Sequence, residues 1–250
     1  MNVLVACEES QRVCTAFREK GHNAFSCDII EPSGGHPEWH ILGDVIPILN
    51  PQEIMEELIE PIGRDDPAIL KVITKKAIVF GTMDGHIHTI PKWDLIIAHP
   101  PCTYLTVAAN RWYKVEKYGD KALARIQARE EAADFFMKFI NADCDKIVVE
   151  NPIGVMSTRY QKPTQIIHPY YFAESPDDIN CEKKATCLWI KGLPPLTYEI
   201  KYPPRQIKMG DGKNYSPWHI ETFNLPKEER AKARSKTFPG IAKAMAEQWG

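Results

Sequence analysis

Two short segments of this chain carry side chains able to do covalent chemistry. Residues 94–102 read Asp-Leu-Ile-Ile-Ala-His-Pro-Pro-Cys, an apolar run that ends on a thiol. Forty-eight positions after Cys102, a second apolar run ends as Val148-Val149-Glu150-Asn151-Pro152, on a carboxyl group and an amide. A thiol is a strong nucleophile even when only a small fraction of it is ionised at neutral pH. A carboxyl group beside it can give, take or share a proton. The spacing predicts that each run is a buried strand. In an open α/β sheet, ligands bind at the carboxyl ends of the strands. Cys102 is therefore the candidate nucleophile and Glu150 its partner, with Asn151 fixing the loop.

The elements that must position this pair are legible along the chain. Asn2–Ala6 is short and apolar, as a central strand should be. Ser10 to Lys20 has helical apolar spacing at Val13, Ala16 and Phe17, and Gly21 is its stop. Ala24–Cys27 is a second strand ending at Asp28. This strand–helix–strand opening predicts an α/β, doubly wound, Rossmann-like sheet. Residues 47–66, rich in Glu, read as a helical insertion. Ile78–Phe80 and Ile87–Ile90 flank a hairpin signal at Met83-Asp84-Gly85. Lys121–Ile140 reads as a long amphipathic helix, and Phe238–Trp249 as a closing helix with Pro239 near its start. A small irregular lobe is expected after residue 152. Residues 192–235 are rich in Pro, Gly and charge.

Composition narrows the class. The chain has 250 residues, 44% hydrophobic and 26% charged, enough for one sizeable core. The net charge of -2 shows no global basic field of the kind that marks many nucleic-acid binders, although a local basic patch is compatible with it. The seven cysteines are Cys7, Cys14, Cys27, Cys102, Cys144, Cys181 and Cys187. An odd count with a strand already at residues 2–6 leads us to expect free thiols, no signal peptide and a cytoplasmic protein. No apolar run reaches the roughly 18 residues that span a membrane, so no membrane partner is expected.

The order of motifs resembles the cytosine-5 DNA methyltransferases, in particular a small, phage-type DNA methylase branch. Pro101-Cys102 and Glu150-Asn151 match that family's catalytic motifs in order. Ala6-Cys7-Glu8-Glu9-Ser10 stands where the family has its first S-adenosyl-L-methionine loop, and Asp28-Ile29 where an acid meets the ribose. Gly43-Asp44-Val45 is similar to the segment whose Asp holds the adenine amino group. Lys183-Lys184-Ala185-Thr186 followed by Leu188-Trp189-Ile190 resembles the basic strand after the Glu-Asn motif. Thr237-Phe238-Pro239-Gly240 resembles the closing segment that returns to the cofactor pocket. The likeness covers residues 1–191 and 236–250 and implies a catalytic domain of those residues, with 192–235 as a reduced target-recognition or substrate lobe. It also implies cofactor contacts from Ala6, Cys7, Glu8, Glu9, Ser10, Asp28, Ile29, Asp44, Val45 and Pro100. Substrate contacts are implied for Pro101, Arg111, Lys183, Lys184 and Thr186. Three departures stand out: the first loop lacks the usual glycines, Thr186 stands where the family has an arginine, and the recognition segment is short.

The implied reaction suits these residues. Attack of a thiolate on carbon 6 of cytosine makes carbon 5 nucleophilic, and a carboxyl group at ring nitrogen 3 stabilises the charge that builds there. A position near helix amides is expected to lower the thiol pKa. A base within a duplex must be flipped out to be reached, and Tyr104, Arg111, Trp112 and Tyr113 are placed to close over it. DNA is the expected partner. A free cytosine nucleotide is the alternative substrate, and a silent DNA- or protein-binding module of the same fold is the third reading. The oligomeric state, including a homodimer, is open. The turn His99-Pro100-Pro101-Cys102 also resembles the Asn/Asp-Pro-Pro-aromatic turn of amino-group methyltransferases, but residues 99 and 102 are the wrong types for it, and the presence of Glu150 counts against it. His36 and His40 lie in a Gly-Pro loop, and Cys181 and Cys187 lack metal-ligand spacing, so no metal is expected. The basic run Lys227–Lys236 reads as a solvated helix face.

Overall fold

Alternation of side chains along the central strands builds the core on two faces at once. In β1 (Asn2–Ala6), Leu4 and Ala6 join one apolar cluster and Val3 and Val5 the other. The computed structural model describes residues 1–60 and 69–250. After β1 come α1 (Arg12–Glu19), β2 (Asn23–Asp28), β3 (His40–Leu42) and α2 (Ile46–Leu49). They are followed by β4 (Gln52–Glu60), β5 (Ile69–Gly81), β6 (Ile87–Ile90) and β7 (Leu95–Ala98). A 3-10 helix at Val107–Tyr113 and α3 (Val115–Tyr118) lead to α4 (Asp120–Ile140) and β8 (Ile147–Asn151). Then come α5 (Met156–Arg159), β9 (Gln165–Ile167) and β10 (Thr186–Lys191). The chain ends with β11 (Ile207–Lys208), β12 (Asn214–Tyr215), α6 (Pro217–Phe223), α7 (Lys227–Ser235) and α8 (Pro239–Trp249).

The protein is α/β. Its central sheet has seven strands in the order β3-β2-β1-β7-β8-β10-β9. The first five are parallel, β10 is antiparallel to β8, and β9 is antiparallel to β10. The chain leaves β1 for β2 and β3, then returns to the other side of β1 with β7. That reversal opens a crevice at the carboxyl ends of β1 and β7, as in doubly wound sheets. This architecture is compatible with a Rossmann-like fold.

One face of the sheet is covered by α1 and α8, whose Val13, Phe17, Ile241, Met245 and Trp249 meet Val3, Val5, Leu95 and Ile97. The other face is covered by α4, through Phe136 and Phe139, and by Ile78, Phe80 and Trp93. Each fully buried side chain of this size contributes roughly 1.5–3 kcal/mol, so the strand ends are held on a stiff base.

The segment read as a helical insertion is different. Residues 52–60 form β4, which pairs antiparallel with β5, and β6 completes a separate three-stranded sheet. Among the described residues of that segment only Ile46–Leu49 is helical, and residues 61–66 lie outside the described residues. Glu, Met and Leu favour helix locally, but pairing with β5 decides the outcome. The hairpin around Met83-Asp84-Gly85 is present, with Gly81 opposite Ile87 and Gly85 at φ 88°. β9 is a sheet strand within a stretch read as irregular.

Candidate active site

Because β7 and β8 are adjacent and in register (Ala98 opposite Val149), their carboxyl ends emerge side by side. Asn151 is buried, and its Nδ2 donates to the Pro100 carbonyl at 2.8 Å, tying the Pro-Pro turn to the end of β8. Past the turn, the amides of Leu105 and Thr106 both donate to the Cys102 carbonyl at 3.0 Å. Thr106 then forms a bridge with Gly154, and Val155 N donates to Leu105 O at 2.8 Å. A Cβ on Gly154 would lie 2.3 Å from that carbonyl, so the approach of the two loops requires glycine. Cys102 is half-buried and Pro101 exposed.

Two charged side chains, Glu150 and Lys184, stand beside the thiol, and a histidine stands against the first of them. His99 Nδ1 lies 3.4 Å from Glu150 Oε2. Lys184, just before β10, interacts with both Glu150 and Cys102, and its Nζ donates to the Arg234 carbonyl at 3.0 Å. Burial pushes the Cys102 thiol up, Glu150 adds to that, and Lys184 opposes it. The expected lowering of this thiol by helix amides is thus corrected: it is raised, because desolvation and a neighbouring carboxylate dominate. Burial also pushes the Glu150 carboxyl up, but the His99 hydrogen bond and the Lys184 ammonium outweigh it and hold Glu150 below the ordinary range. Lys184 is itself pushed down by burial, against the pull of Glu150 and Cys102.

The carboxyl ends of β1, β2 and β3 form a second, acidic wall. The loop from Cys7 to Gln11 begins and ends in left-handed backbone, with φ 58° at Cys7 and 57° at Gln11. Glu8 turns inward and caps α1, its oxygens accepting from Val13 N at 2.7 Å and Cys14 N at 3.1 Å. Glu9 remains beside the crevice with both carboxylate oxygens buried and without a hydrogen bond; Lys232 Nζ is 3.6 Å away. Burial raises the Cys7 thiol, and so do the nearby Asp28, Cys27 and Asp44. Asp28 and Asp44 therefore converge on the same strand ends. Ala6, Ser10, Val45 and Pro100 are buried around them, while Ile29 is 77% exposed. A cavity of about 660 Å³ opens beside this loop, lined by Ser10, Gln11 and Arg12 on one side and Lys236, Gly240 and Lys243 on the other. It lies next to α1 and α8, not over Cys102.

The residues implied for substrate contact are split. Lys184 faces the thiol; its neighbour Lys183 is exposed. Thr186 is buried, with its hydroxyl 3.5 Å from the Lys184 carbonyl. Arg111 is exposed on the loop after Cys102, its guanidinium 4.8 Å from the Trp112 ring. That loop is pinned to α4 by Arg129, which donates to the Tyr104 carbonyl at 3.0 Å and sits 3.3 Å from the Tyr113 ring centroid.

Several residues at the site were not singled out from sequence. His99 adjoins the strand end and was read only as a mismatch to another motif. The run read as a solvated face, α7, leans on the crevice: Lys232 approaches Glu9, Lys236 donates to Ser33 Oγ at 3.1 Å, and Arg234 holds Lys184. Trp218 of α6, which the sequence does offer as a residue to stack on a base, has its ring 5.8 Å from both Lys184 Nζ and the Arg234 guanidinium. Only the tertiary fold brings these together. Among the described residues, no group of three or more His, Cys, Asp or Glu side chains could hold a metal ion. Among the described residues, no helix is long and apolar enough to cross a membrane. Comparison of the chain with models of known protein families and with curated proteins found no match.

Proposed function

We propose that this chain is an S-adenosyl-L-methionine-dependent methyltransferase that modifies carbon 5 of cytosine, with DNA as the carrier. The observation that carries the reading is the adjacency of Cys102 and Glu150 on neighbouring strand ends, tied by the Asn151–Pro100 hydrogen bond. A ring placed between them meets a sulfur nucleophile and a carboxyl group together.

The acidic wall supports the cofactor. Asp28 and Asp44 each take one backbone amide on Oδ1, from Ile30 and Ile46, and keep acceptor capacity to spare. Among the described residues Glu9 makes no hydrogen bond and meets only Lys232 at 3.6 Å, and exposed Ile29 offers an apolar surface. A ligand with ribose hydroxyls, an adenine amino group and positive charge suits that set. S-adenosyl-L-methionine, when bound, supplies an electrophilic methyl group on a sulfonium. Asp28, Asp44, Ile29 and Val45 would hold its nucleoside and Ser10 and Glu9 its charged end. Glu8 has another task, the cap of α1.

For the chemical step, Cys102 must lose its proton, and Lys184 is the cation beside it that favours the thiolate. Glu150 faces ring nitrogen 3 and the amino group. Trp218 and Arg234 close the site from the 192–235 lobe, and exposed Lys208 and Lys213 on the β11–β12 hairpin suit phosphate contacts. The free-nucleotide alternative draws support from the small size of this lobe and from the approach of Lys232 of α7 to Glu9 at 3.6 Å.

Methyl transfer from labelled cofactor, assayed in parallel on unmethylated DNA and on cytidine nucleotides, tests the reading. Transfer to DNA, with binding that weakens steeply as salt rises, is the expected result. Transfer to nucleotides alone selects the alternative. No transfer to either, with no cofactor binding at millimolar concentration, overturns it.

A further inference from the structure

The proposed reaction requires a proton at ring nitrogen 3, yet Glu150 is held in its ionised form. The side chain hydrogen-bonded to it makes no other hydrogen bond among the described residues. His99 stands between β7 and the Pro-Pro turn, only 7% exposed, with Nδ1 3.4 Å from Glu150 Oε2. Its Nε2 is buried and has no hydrogen-bond partner. The titratable groups facing the pair are Glu8 from the loop after β1, Cys102 from the turn after β7, Lys184 from the segment before β10 and Cys187 on β10. Glu8 is engaged by two amides of α1, and Lys184 by the Arg234 carbonyl. The Cys187 thiol is pushed up to about 11 by burial and by Glu150 and stays protonated at neutral pH. Of these groups, only His99 is hydrogen-bonded to Glu150, and its ring nitrogen is one that can pass on a proton.

We propose that His99 and Glu150 work as one proton-carrying unit, in which the imidazolium of His99 supplies, through Glu150, the proton that ring nitrogen 3 takes up as Cys102 adds to the base. This rests on the cytosine reading given above. In the step, the thiolate sulfur forms a bond to carbon 6. The carbon 5–carbon 6 π electrons move to between carbons 4 and 5, and the carbon 4–nitrogen 3 π electrons move onto nitrogen 3. That nitrogen takes a proton from Glu150, which takes one from His99 Nδ1. The unit is left as a neutral imidazole and a carboxylate. Once carbon 5 has taken the methyl group with its carbon 4–carbon 5 π pair, the carbon 4–nitrogen 3 double bond reforms and the nitrogen 3 proton goes back to the pair. Loss of the carbon 5 proton to water then rebuilds the carbon 5–carbon 6 double bond as the sulfur leaves with the electrons of its bond to carbon 6. His99 never touches the ring; it is a positioning residue that acts through Glu150.

The test begins with the wild-type chain. If it transfers no methyl group to DNA or nucleotide, the reading and this proposal fall together. With an active wild type, single-turnover rates of H99Q are measured from pH 5.5 to about 9. We expect a loss of roughly 10²-fold at pH 8, in the range of general acid–base contributions, with cofactor KM unchanged. The alkaline limb of the rate profile should move at least about one pH unit toward acid, because Glu150 must then hold the proton unaided. A loss of equal size at every pH, or an unaltered profile, overturns the proposal and leaves the function standing. If H99Q does not fold, wild-type and E150Q proteins with ¹⁵N-labelled histidine decide. A protonated His99 Nδ1 whose signal shifts in E150Q supports the unit, and a signal indifferent to E150Q overturns it.

Discussion

Asn151 and Pro100 are 51 residues apart, yet the amide of one holds the carbonyl of the other at 2.8 Å in a buried site. This bond fixes the Pro-Pro turn, and hence the Cys102 sulfur, relative to the Glu150 carboxyl one residue away. Asn151→Ala leaves the Pro100 carbonyl without its donor, at a cost of about 1–3 kcal/mol for an unsatisfied buried group. We expect the melting temperature to fall and turnover to fall further than cofactor affinity does. Calorimetry and a methyl-transfer assay check both, and unchanged turnover in a folded variant would mean the tie does not position the thiol.

Glu8 belongs to the scaffold. Its carboxylate serves Val13 N and Cys14 N at the start of α1, where Gln11 provides no side-chain cap. Glu8→Ala should destabilise the protein by about 1–2 kcal/mol, the usual worth of a cap. Denaturant midpoints measure this. A variant with wild-type stability and lost cofactor binding would assign Glu8 to the cofactor instead.

Much of this arrangement is legible in the sequence, for physical reasons. β1, β2, β7 and β8 are central strands, so their apolar runs and the Asp, Pro-Pro and Glu-Asn that end them stand out. The long α4 and the Gly85 turn have local signals of their own. Residues 52–60 misled because a Glu-rich run favours helix until β5 pairs with it. The sign of the Cys102 shift was missed because burial and Glu150 are tertiary facts. The part of α7 in closing the crevice was invisible for the same reason: a charged helix declares nothing about whether it meets water or Glu9.

Lys184 is the group that favours the Cys102 thiolate, against burial and Glu150. Lys184→Met should slow alkylation of Cys102 by iodoacetamide at pH 7–8 by about tenfold or more, since a one-unit rise in thiol pKa is tenfold in thiolate. Lys184→Arg should keep most of the rate. Peptide mass spectrometry follows Cys102 apart from the buried thiols. Equal rates in all three proteins would remove Lys184 from the nucleophile's surroundings.

Glu150 is held below its ordinary value of 4.5 by the His99 hydrogen bond and Lys184, although burial opposes them. A depressed carboxyl favours the fold while ionised, so its contribution is full above about pH 4.5 and is lost as pH falls through the lower folded value. Wild-type melting temperature should therefore drop more steeply than that of Glu150→Gln between about pH 5 and pH 3. Parallel slopes in a thermal scan series would show that Glu150 is not held ionised by its neighbours.

The account stands or falls on whether Cys102 bonds to the base. A DNA duplex carrying 5-fluorocytosine, incubated with the protein and S-adenosyl-L-methionine, provides the direct measurement, because fluorine at carbon 5 cannot leave as a proton does and the adduct cannot break down. We predict a covalent protein–DNA species that resists denaturant, maps by mass spectrometry to the peptide containing Cys102, and is absent in Cys102→Ser. A cofactor-bound protein that forms no adduct with DNA or with 5-fluorocytidine nucleotide, or a Cys102→Ser variant that methylates as fast as wild type, would contradict it.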